Sequence, residues 1–89
     1  MANKIHLSVV TAEGAVFDGM ISYVNIPTTF GSLGILSGHA PMVCAVARGI
    51  VRCSADDGEP VRIAVGGGVA DVNHNQVTLL VSDAKIKNE

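Results

Sequence analysis

Short stretches of alternating apolar and polar residues, divided by turn-forming residues, are the feature that most limits the folds open to this chain. Ile5, Leu7 and Val9 alternate with His6 and Ser8, which places the three aliphatic side chains on one face of an extended strand. Thirteen valines and seven isoleucines dominate the apolar residues, and β-branched side chains fit a pleated sheet better than a helix. No stretch shows sustained helical periodicity. The sequence therefore predicts an all-β fold.

Turn signals recur about every ten residues, a spacing typical of β-sandwiches and barrels. A turn is expected at 18–19, where Asp precedes Gly, and another at 73–75, whose asparagines tolerate a left-handed backbone. Residues 27–41 hold three glycines and two prolines and are predicted to be the longest irregular stretch. The later strands are expected to form a meander of hairpins, over residues 42–47, 50–54, 61–65, 69–72 and 76–81.

The alternation also predicts which side chains lie inside the fold. The expected core consists of Ile5, Leu7, Val9, Val24, Ile26, Ile63 and Leu79. Leu33, Ile35 and Leu36 form an apolar island among glycines. This island either folds back onto the core or presents an apolar patch to a partner, and the residues alone favour neither alternative.

Size and charge exclude several classes of protein. With 89 residues the chain has room for one domain. Its net charge is −2 and the sequence holds no run of basic residues, which argues against nucleic acid as a partner. The longest apolar run, 42–47, is far shorter than the roughly 18 residues of a transmembrane helix. The first ten residues resemble neither a signal peptide nor a transit peptide, which predicts a cytosolic chain.

No pattern in the sequence indicates a catalytic, cofactor-binding or metal-binding site. The glycines at 66–68 lack the spacing of a phosphate-binding loop and are expected to form a bend or bulge. Cys44 and Cys53 do not have metal-ligand spacing, and both are expected to be buried, reduced thiols. The acidic segment 56–59 is expected to form a solvated hairpin tip. An alternative, a cupin-type β-barrel metalloenzyme, would use the separated histidines His6, His39 and His74.

One string carries a family resemblance. Residues 33–41 read LGILSGHAP, which resembles the L-G-I-x-x-G-H-A-P loop of the epsilon subunit of F-type ATP synthases. Residues 6–13 (HLSVVTAE) and 16–19 (VFDG) are similar to the opening strand and next turn of that family. Residues 66–72 and 77–80 are similar to its last hairpin, so the resemblance runs from about residue 5 to residue 84.

The resemblance implies a fold, a function and partners. The fold is a ten-stranded β-sandwich or flattened barrel over residues 1–84, with a short tail at 85–89. The function is that of a non-catalytic rotor subunit of the central stalk, without a cofactor, which couples rotation of the c-ring to the gamma subunit and so ion flow to ATP synthesis. The implied gamma contacts are Thr11, His39 and Cys44, and the implied c-ring contacts are Phe30, Gly31, Ser32, Leu33 and Gly34.

The chain departs from the family pattern at two places. Ser32 stands where many relatives have an acidic residue, which removes one ion pair with the ring. The family also continues into a two-helix C-terminal domain that inhibits ATP hydrolysis, and these 89 residues hold no counterpart of it. The expected location is peripheral, on the cytoplasmic face of a bacterial inner membrane or on a plastid thylakoid. The alternative function is a free-standing cytosolic β-sandwich that binds another protein.

Overall fold

A computed structural model describes residues 4–55 and 58–87 of the chain and shows strands and turns throughout. The described part contains nine strands and no helix, as the alternation predicts. The strands are β1 (Ile5–Thr11), β2 (Gly14–Thr28), β3 (Gly31–Leu36), β4 (Met42–Val46), β5 (Gly49–Ala55), β6 (Pro60–Val65), β7 (Gly68–Asn73), β8 (Gln76–Val81) and β9 (Ala84–Lys87).

The sheet folds over on itself into two layers that share the long strand β2. In the first layer the order is β2, β1, β8, β7, β4, with β1 and β8 parallel and the other pairs antiparallel. In the second layer the order is β3, β2, β5, β6, β9. The first half of β2 pairs with β1, and its second half lies between β3 and β5. The described residues thus form nine strands where the resemblance implies ten, and the long strand β2 contributes to both layers.

The core lies between the layers and is made of aliphatic side chains. All seven predicted core residues are fully buried, which confirms the alternation argument. No polar or charged side chain of the described residues is buried. The buried apolar set is Ile5, Leu7, Val9, Ile21, Val24, Ile26, Ile35, Val46, Val51, Cys53, Ile63, Val65, Ala70, Val72, Val77, Leu79 and Val81.

The predicted turn at 18–19 is wrong, because β2 runs without interruption from Gly14 to Thr28. Gly19 lies within the β1–β2 ladder opposite Leu7. The chain reverses earlier, before Gly14, whose φ of +121° belongs to the region that only glycine adopts freely. The first hairpin therefore pairs the whole of β1 with the first half of β2.

The predicted irregular stretch at 27–41 is wrong over most of its length. β2 continues through Pro27 to Thr28, and β3 then pairs with it from Thr28–Gly31 to Tyr23–Leu36. Glycine and proline are tolerated here because β3 is an edge strand whose only full ladder is with β2. Residues 37–41 are the part that remains irregular.

The expected meander is confirmed for β5–β6 and β7–β8 and is wrong for β4–β5 and β6–β7. β4 pairs with β7, while β5 pairs with β2 and β6, so that consecutive strands lie in opposite layers. Residues 56 and 57, part of the predicted hairpin tip, lie outside the described residues.

Two predicted turns carry the geometry that their residues favour. His74 and Asn75 have positive φ angles of 49° and 61° and form the two-residue turn between β7 and β8. Gly66 and Gly67 form the bend between β6 and β7, and Gly68 is the first residue of β7. A Cβ atom at Gly68 would collide with the backbone carbonyl oxygen of Leu80, so glycine is required there for close approach of two strands.

The implied boundary between residues 84 and 85 falls inside β9, which spans Ala84–Lys87 and pairs with β6. Ala84 packs against the core, and Ile86 lies opposite the buried Ile63. Residues 84–87 therefore extend the sheet instead of forming a separate tail. The described part of the chain contains no helix that is long and apolar enough to cross a membrane.

Candidate functional site: the beta2–beta3 tip and the adjoining groove

The β2–β3 hairpin ends in a tight tip that exposes an aromatic ring. The Phe30 side chain is 93% exposed. The backbone N–H of Phe30 donates to Thr28 Oγ1 at 3.0 Å, and that hydroxyl donates to the carbonyl oxygen of Gly31 at 2.6 Å. Gly31 completes the turn with a φ of +118°. Local hydrogen bonds thus hold the tip in one shape, which lowers the entropy cost of a contact made by Phe30.

An apolar groove of about 470 Å³ adjoins the tip, between β3 and β4. It opens there because β4 is bridged to β2 only at Val46–Thr28, so the rest of the β4 edge is free of that neighbour. Its lining combines residues of the tip with residues of β4: Thr28, Phe30, Ser32, Leu33, Met42, Val43, Cys44 and Ala45. Sequence reasoning did not single out Thr28, Met42 and Val43, since the closeness of β3 to β4 depends on long-range pairing.

Cys44 and Leu33 form the inner wall of this groove. Both side chains are half-buried and pack against the core. Cys44 is a free cysteine, and its partial exposure corrects the expectation that it is buried. Cys53 is buried, as predicted, and burial raises the pKa of its thiol to about 11. The chain thus carries one accessible thiol and one protected thiol.

The sequence did not decide whether the apolar island at residues 33–36 packs on the core or faces outward, and in the structure it does both. Ile35 is buried in the core and Leu33 is half-buried, whereas Leu36 is 61% exposed. Alternation along β3 explains the difference, because Ile35 and Leu36 point to opposite faces of the sheet.

His39 lies in the irregular segment 37–41 and is half-buried. Its Nδ1 is 2.7 Å from the carbonyl oxygen of Ala40, and its backbone N–H donates to the carbonyl oxygen of Leu36 at 3.1 Å. The segment is also tied to the β7–β8 turn, because the Gly38 N–H donates to Asn75 Oδ1 at 2.7 Å. The ring of His39 therefore supports its own loop, whatever contact it makes outside the chain.

Thr11 lies at the β1–β2 turn, where its Oγ1 accepts a hydrogen bond from the Glu13 N–H at 3.1 Å. Within the first layer, β8 and β7 separate β1 from β4, so about 14 Å separates Thr11 from the strand of Cys44. His39 lies near the opposite end of this layer. The preceding Gly38 binds Asn75 of the β7–β8 turn, and the carbonyl oxygen of Asn75 accepts a hydrogen bond from the His6 N–H. The fold thus brings Phe30, Ser32, Leu33 and Cys44 together in one groove and leaves Thr11 and His39 outside it.

The three histidines of the metalloenzyme alternative occupy separate elements. His6 lies on β1, where Nε2 is 2.5 Å from Asp18 Oδ1 and Nδ1 is 3.2 Å from Gln76 Oε1. Both hydrogen bonds raise the pKa of His6 above its ordinary value of 6.5, and the bond to Asp18 has the larger effect. Within residues 4–55 and 58–87 no group of three or more His, Cys, Asp or Glu residues is placed to hold a metal ion.

The sequence matches relatives of one functional family. The ATP synthase epsilon chain of Synechococcus sp. (strain JA-2-3B'a(2-13)) is 46% identical over 77 residues, which cover 86% of this chain and 56% of the relative. The ATP synthase epsilon chain of Synechococcus elongatus is 44% identical over 82 residues, covering 92% of this chain and 59% of the relative. The chain therefore spans little more than half the length of these curated relatives.

Solved structures share the fold. A chain in the cryo-EM structure of Euglena gracilis mitochondrial ATP synthase, with OSCP, F1 and c-ring, has a TM-score of 0.88 at 24% identity and matches 97% of this chain and 55% of its own length. A chain of the Tetrahymena thermophila mitochondrial central stalk and c-ring has a TM-score of 0.72 at 20% identity, over 92% of this chain and 66% of its own.

A family description covers nearly the whole chain. Residues 4–87 match the family described as ATP synthase, Delta/Epsilon chain, beta-sandwich domain. The two-layered sheet, the relatives at 44–46% identity and this match agree with one another. The chain therefore belongs to the β-sandwich family of ATP synthase delta and epsilon chains.

Proposed function

We propose that this chain is the β-sandwich part of a non-catalytic central-stalk subunit of an F-type ATP synthase. It binds the gamma subunit and the c-ring and so couples rotation, driven by proton or sodium flow, to ATP synthesis in other subunits. The family match over residues 4–87 carries this proposal. The proposed location is the cytoplasmic face of a bacterial inner membrane or a plastid thylakoid. There the chain is a peripheral protein, associated with the membrane through the rest of the complex.

The β2–β3 tip is the proposed contact with the c-ring. The proposed contact residues are Phe30 to Gly34, and the backbone hydrogen bond of Phe30 fixes the position from which its exposed aromatic ring projects. Aromatic side chains of this kind are common anchors in protein interfaces. Ser32 supplies no charge, so the contact is expected to depend mainly on apolar burial and weakly on salt.

Binding of the purified chain to isolated c-rings tests this contact. Phe30→Ala should weaken binding by about tenfold or more, as truncation of an interface anchor does. Leu36→Ala is the matched control, because it removes another exposed apolar side chain, 61% exposed, from the far end of β3. Equal binding by both variants and the native chain would contradict the proposed tip contact.

The proposed gamma contact consists of Thr11, His39 and Cys44, which lie at different places around the first layer. The accessible thiol of Cys44 gives a direct test, since a bound subunit that covers the groove should slow its alkylation. Cys53 is the internal control, because burial keeps its thiol protonated in both states. Alkylation of Cys44 at the same rate with and without a saturating gamma subunit would refute this contact.

The remaining contacts and the absence of catalysis have their own tests. His39→Ala should weaken gamma binding while the thermal midpoint stays unchanged, whereas equal losses in both would show a role in its own loop only. The isolated chain should not hydrolyse ATP. Hydrolysis that persists through purification and vanishes on mutation of one of its residues would overturn the proposal. A chain that binds neither gamma nor c-rings would instead be a free-standing binding module.

A further inference from the structure

Strand pairing in the second layer assembles basic residues that are far apart in the sequence. Arg52 on β5 lies directly opposite Arg62 on β6, and Arg62 lies directly opposite Lys87 on β9. Directly opposed residues point to the same face, about 5 Å apart, and all three side chains are exposed. Lys85, two residues before Lys87 on β9, points to that face as well. Four of the six basic residues thus lie on the outer face of one layer.

This arrangement places like charges directly beside one another. Like charges directly opposite one another on adjacent strands destabilise a sheet. Among the described residues, none of the four side chains takes part in a recorded hydrogen bond or ion pair. Glu59 lines the same groove as Arg52, Arg62 and Lys87, so cations outnumber carboxylates three to one among the described residues of this groove. An anionic partner would therefore relieve repulsion that the isolated fold carries.

The outer face of the second layer also carries apolar side chains, beside its basic residues. Asn25 continues the row beyond Arg52, and Tyr23 and Leu36 lie opposite each other on β2 and β3. Tyr23 is 36% exposed and Leu36 is 61% exposed. Tyrosine and arginine are the residues most enriched at protein-binding hot spots. A bare phosphate or a polyphosphate would use only the cations and would leave these apolar side chains without a role.

The outer face of the first layer has the opposite character. Asp71, Thr78, Ser8 and Asp18 stand in one row across β7, β8, β1 and β2, and both aspartates are exposed. An acidic partner is therefore attracted to one side of the sandwich and repelled from the other. With a net charge of −2, the chain is unsuited to the long polyanion of a nucleic acid.

We propose that the outer face of the second layer docks an acidic segment of a partner protein. Carboxylates of the segment pair with Arg52, Arg62 and Lys87, and apolar side chains at its other end pack on Tyr23 and Leu36. This surface is distinct from the groove between β3 and β4, and it adjoins the proposed c-ring contact only at Gly34, which lies opposite Asn25.

A synthetic peptide with glutamates clustered at one end and leucines at the other is the direct probe. Fluorescence anisotropy with the full chain should show saturable binding. Replacing the glutamates by glutamine, or the leucines by serine, should each weaken it by about tenfold or more. Binding that survives the leucine replacement would show an unspecific anion-binding surface and would overturn the proposal.

Variants of the chain locate the site. Arg52→Gln and Arg62→Gln should each weaken peptide binding by about tenfold or more. Both should also raise the thermal midpoint slightly, because Arg52→Gln removes one like-charge pair and Arg62→Gln removes two. Arg48→Gln removes the same charge outside the row, and it should change the affinity by less than about twofold. Equal effects of Arg48→Gln and Arg62→Gln would refute a specific site.

Two further probes separate the ligand classes. Pyrophosphate and vesicles containing anionic lipid are titrated under the same salt conditions as the peptide. Neither should compete with the peptide at concentrations that match its carboxylate content. Tighter binding of either one, lost in Arg62→Gln, would assign the face to phosphate groups and overturn the assignment to an acidic protein segment. Absence of saturable peptide binding by the folded chain would overturn it as well.

Discussion

Replacing Leu79 by alanine measures how far the fold depends on the contact between its two layers. Leu79 is fully buried on β8, with Ala70 and Val9 as its neighbours in register on β7 and β1. Three buried carbon atoms are removed, worth about 0.8 kcal/mol each. The neighbouring strands are fixed by their own ladders, so part of the cavity persists. The expected cost is about 3 to 4 kcal/mol of the free energy of unfolding.

That cost is large for a domain of 89 residues, whose total stability is on the order of 4 to 13 kcal/mol. Urea denaturation should show a lower midpoint with an unchanged slope, and the thermal midpoint should fall by about 15 °C or more. Leu80→Ala is the matched control, since the adjacent side chain is 54% exposed on the outer face and should cost less than about 1 kcal/mol. Similar costs for both variants would refute the assignment of inner and outer faces.

Three further substitutions or modifications test single features of the fold. His6→Gln should lower the thermal midpoint most at acid pH. The hydrogen bond with Asp18 raises the pKa of His6, so its contribution is complete below about pH 6.5 and is lost as the pH rises through the raised pKa. A midpoint difference that stays constant from about pH 5.5 to 8.5 would contradict this. Cys53 should resist iodoacetamide at about pH 8 in the folded chain and react in urea, as followed by mass spectrometry, because burial raises its thiol pKa to about 11. Gly68→Ala should cost more than about 2 kcal/mol, because its Cβ meets the Leu80 carbonyl oxygen; an unchanged thermal midpoint would show that β7 and β8 can separate freely.

Local periodicity predicted the parts of the fold that depend on local chemistry. The alternation in β1 identified Ile5, Leu7 and Val9 as core, because burial on one face of a strand leaves a period of two in the sequence. The turn at His74–Asn75 was predictable for a similar reason, since asparagine tolerates the left-handed backbone that a two-residue hairpin requires.

The errors have one physical cause, which is that ladders with distant strands override local turn signals. Asp18–Gly19 has the composition of a turn, yet the pairing of Gly19 with Leu7 keeps it extended. Residues 31–36 are rich in glycine and still form β3, because β2 offers a complete ladder. The arrangement of β4 beside β7 is likewise set by the closing of the sandwich, and no residue near β4 signals it.

The candidate surfaces could not be predicted from the sequence for the same reason, since they depend on the pairing of distant strands. Arg52, Arg62 and Lys87 are separated by 9 and 24 intervening residues, and only the pairing of β5, β6 and β9 makes them neighbours. The sequence therefore reads as having no basic cluster while the folded chain has one. Strand pairing likewise places Asp18 and Asp71 in one row on the opposite face, so the described residues give the two outer faces different charge. Such a difference in charge orients a charged partner before contact, and it arises although both faces are built from the same kind of alternating strand.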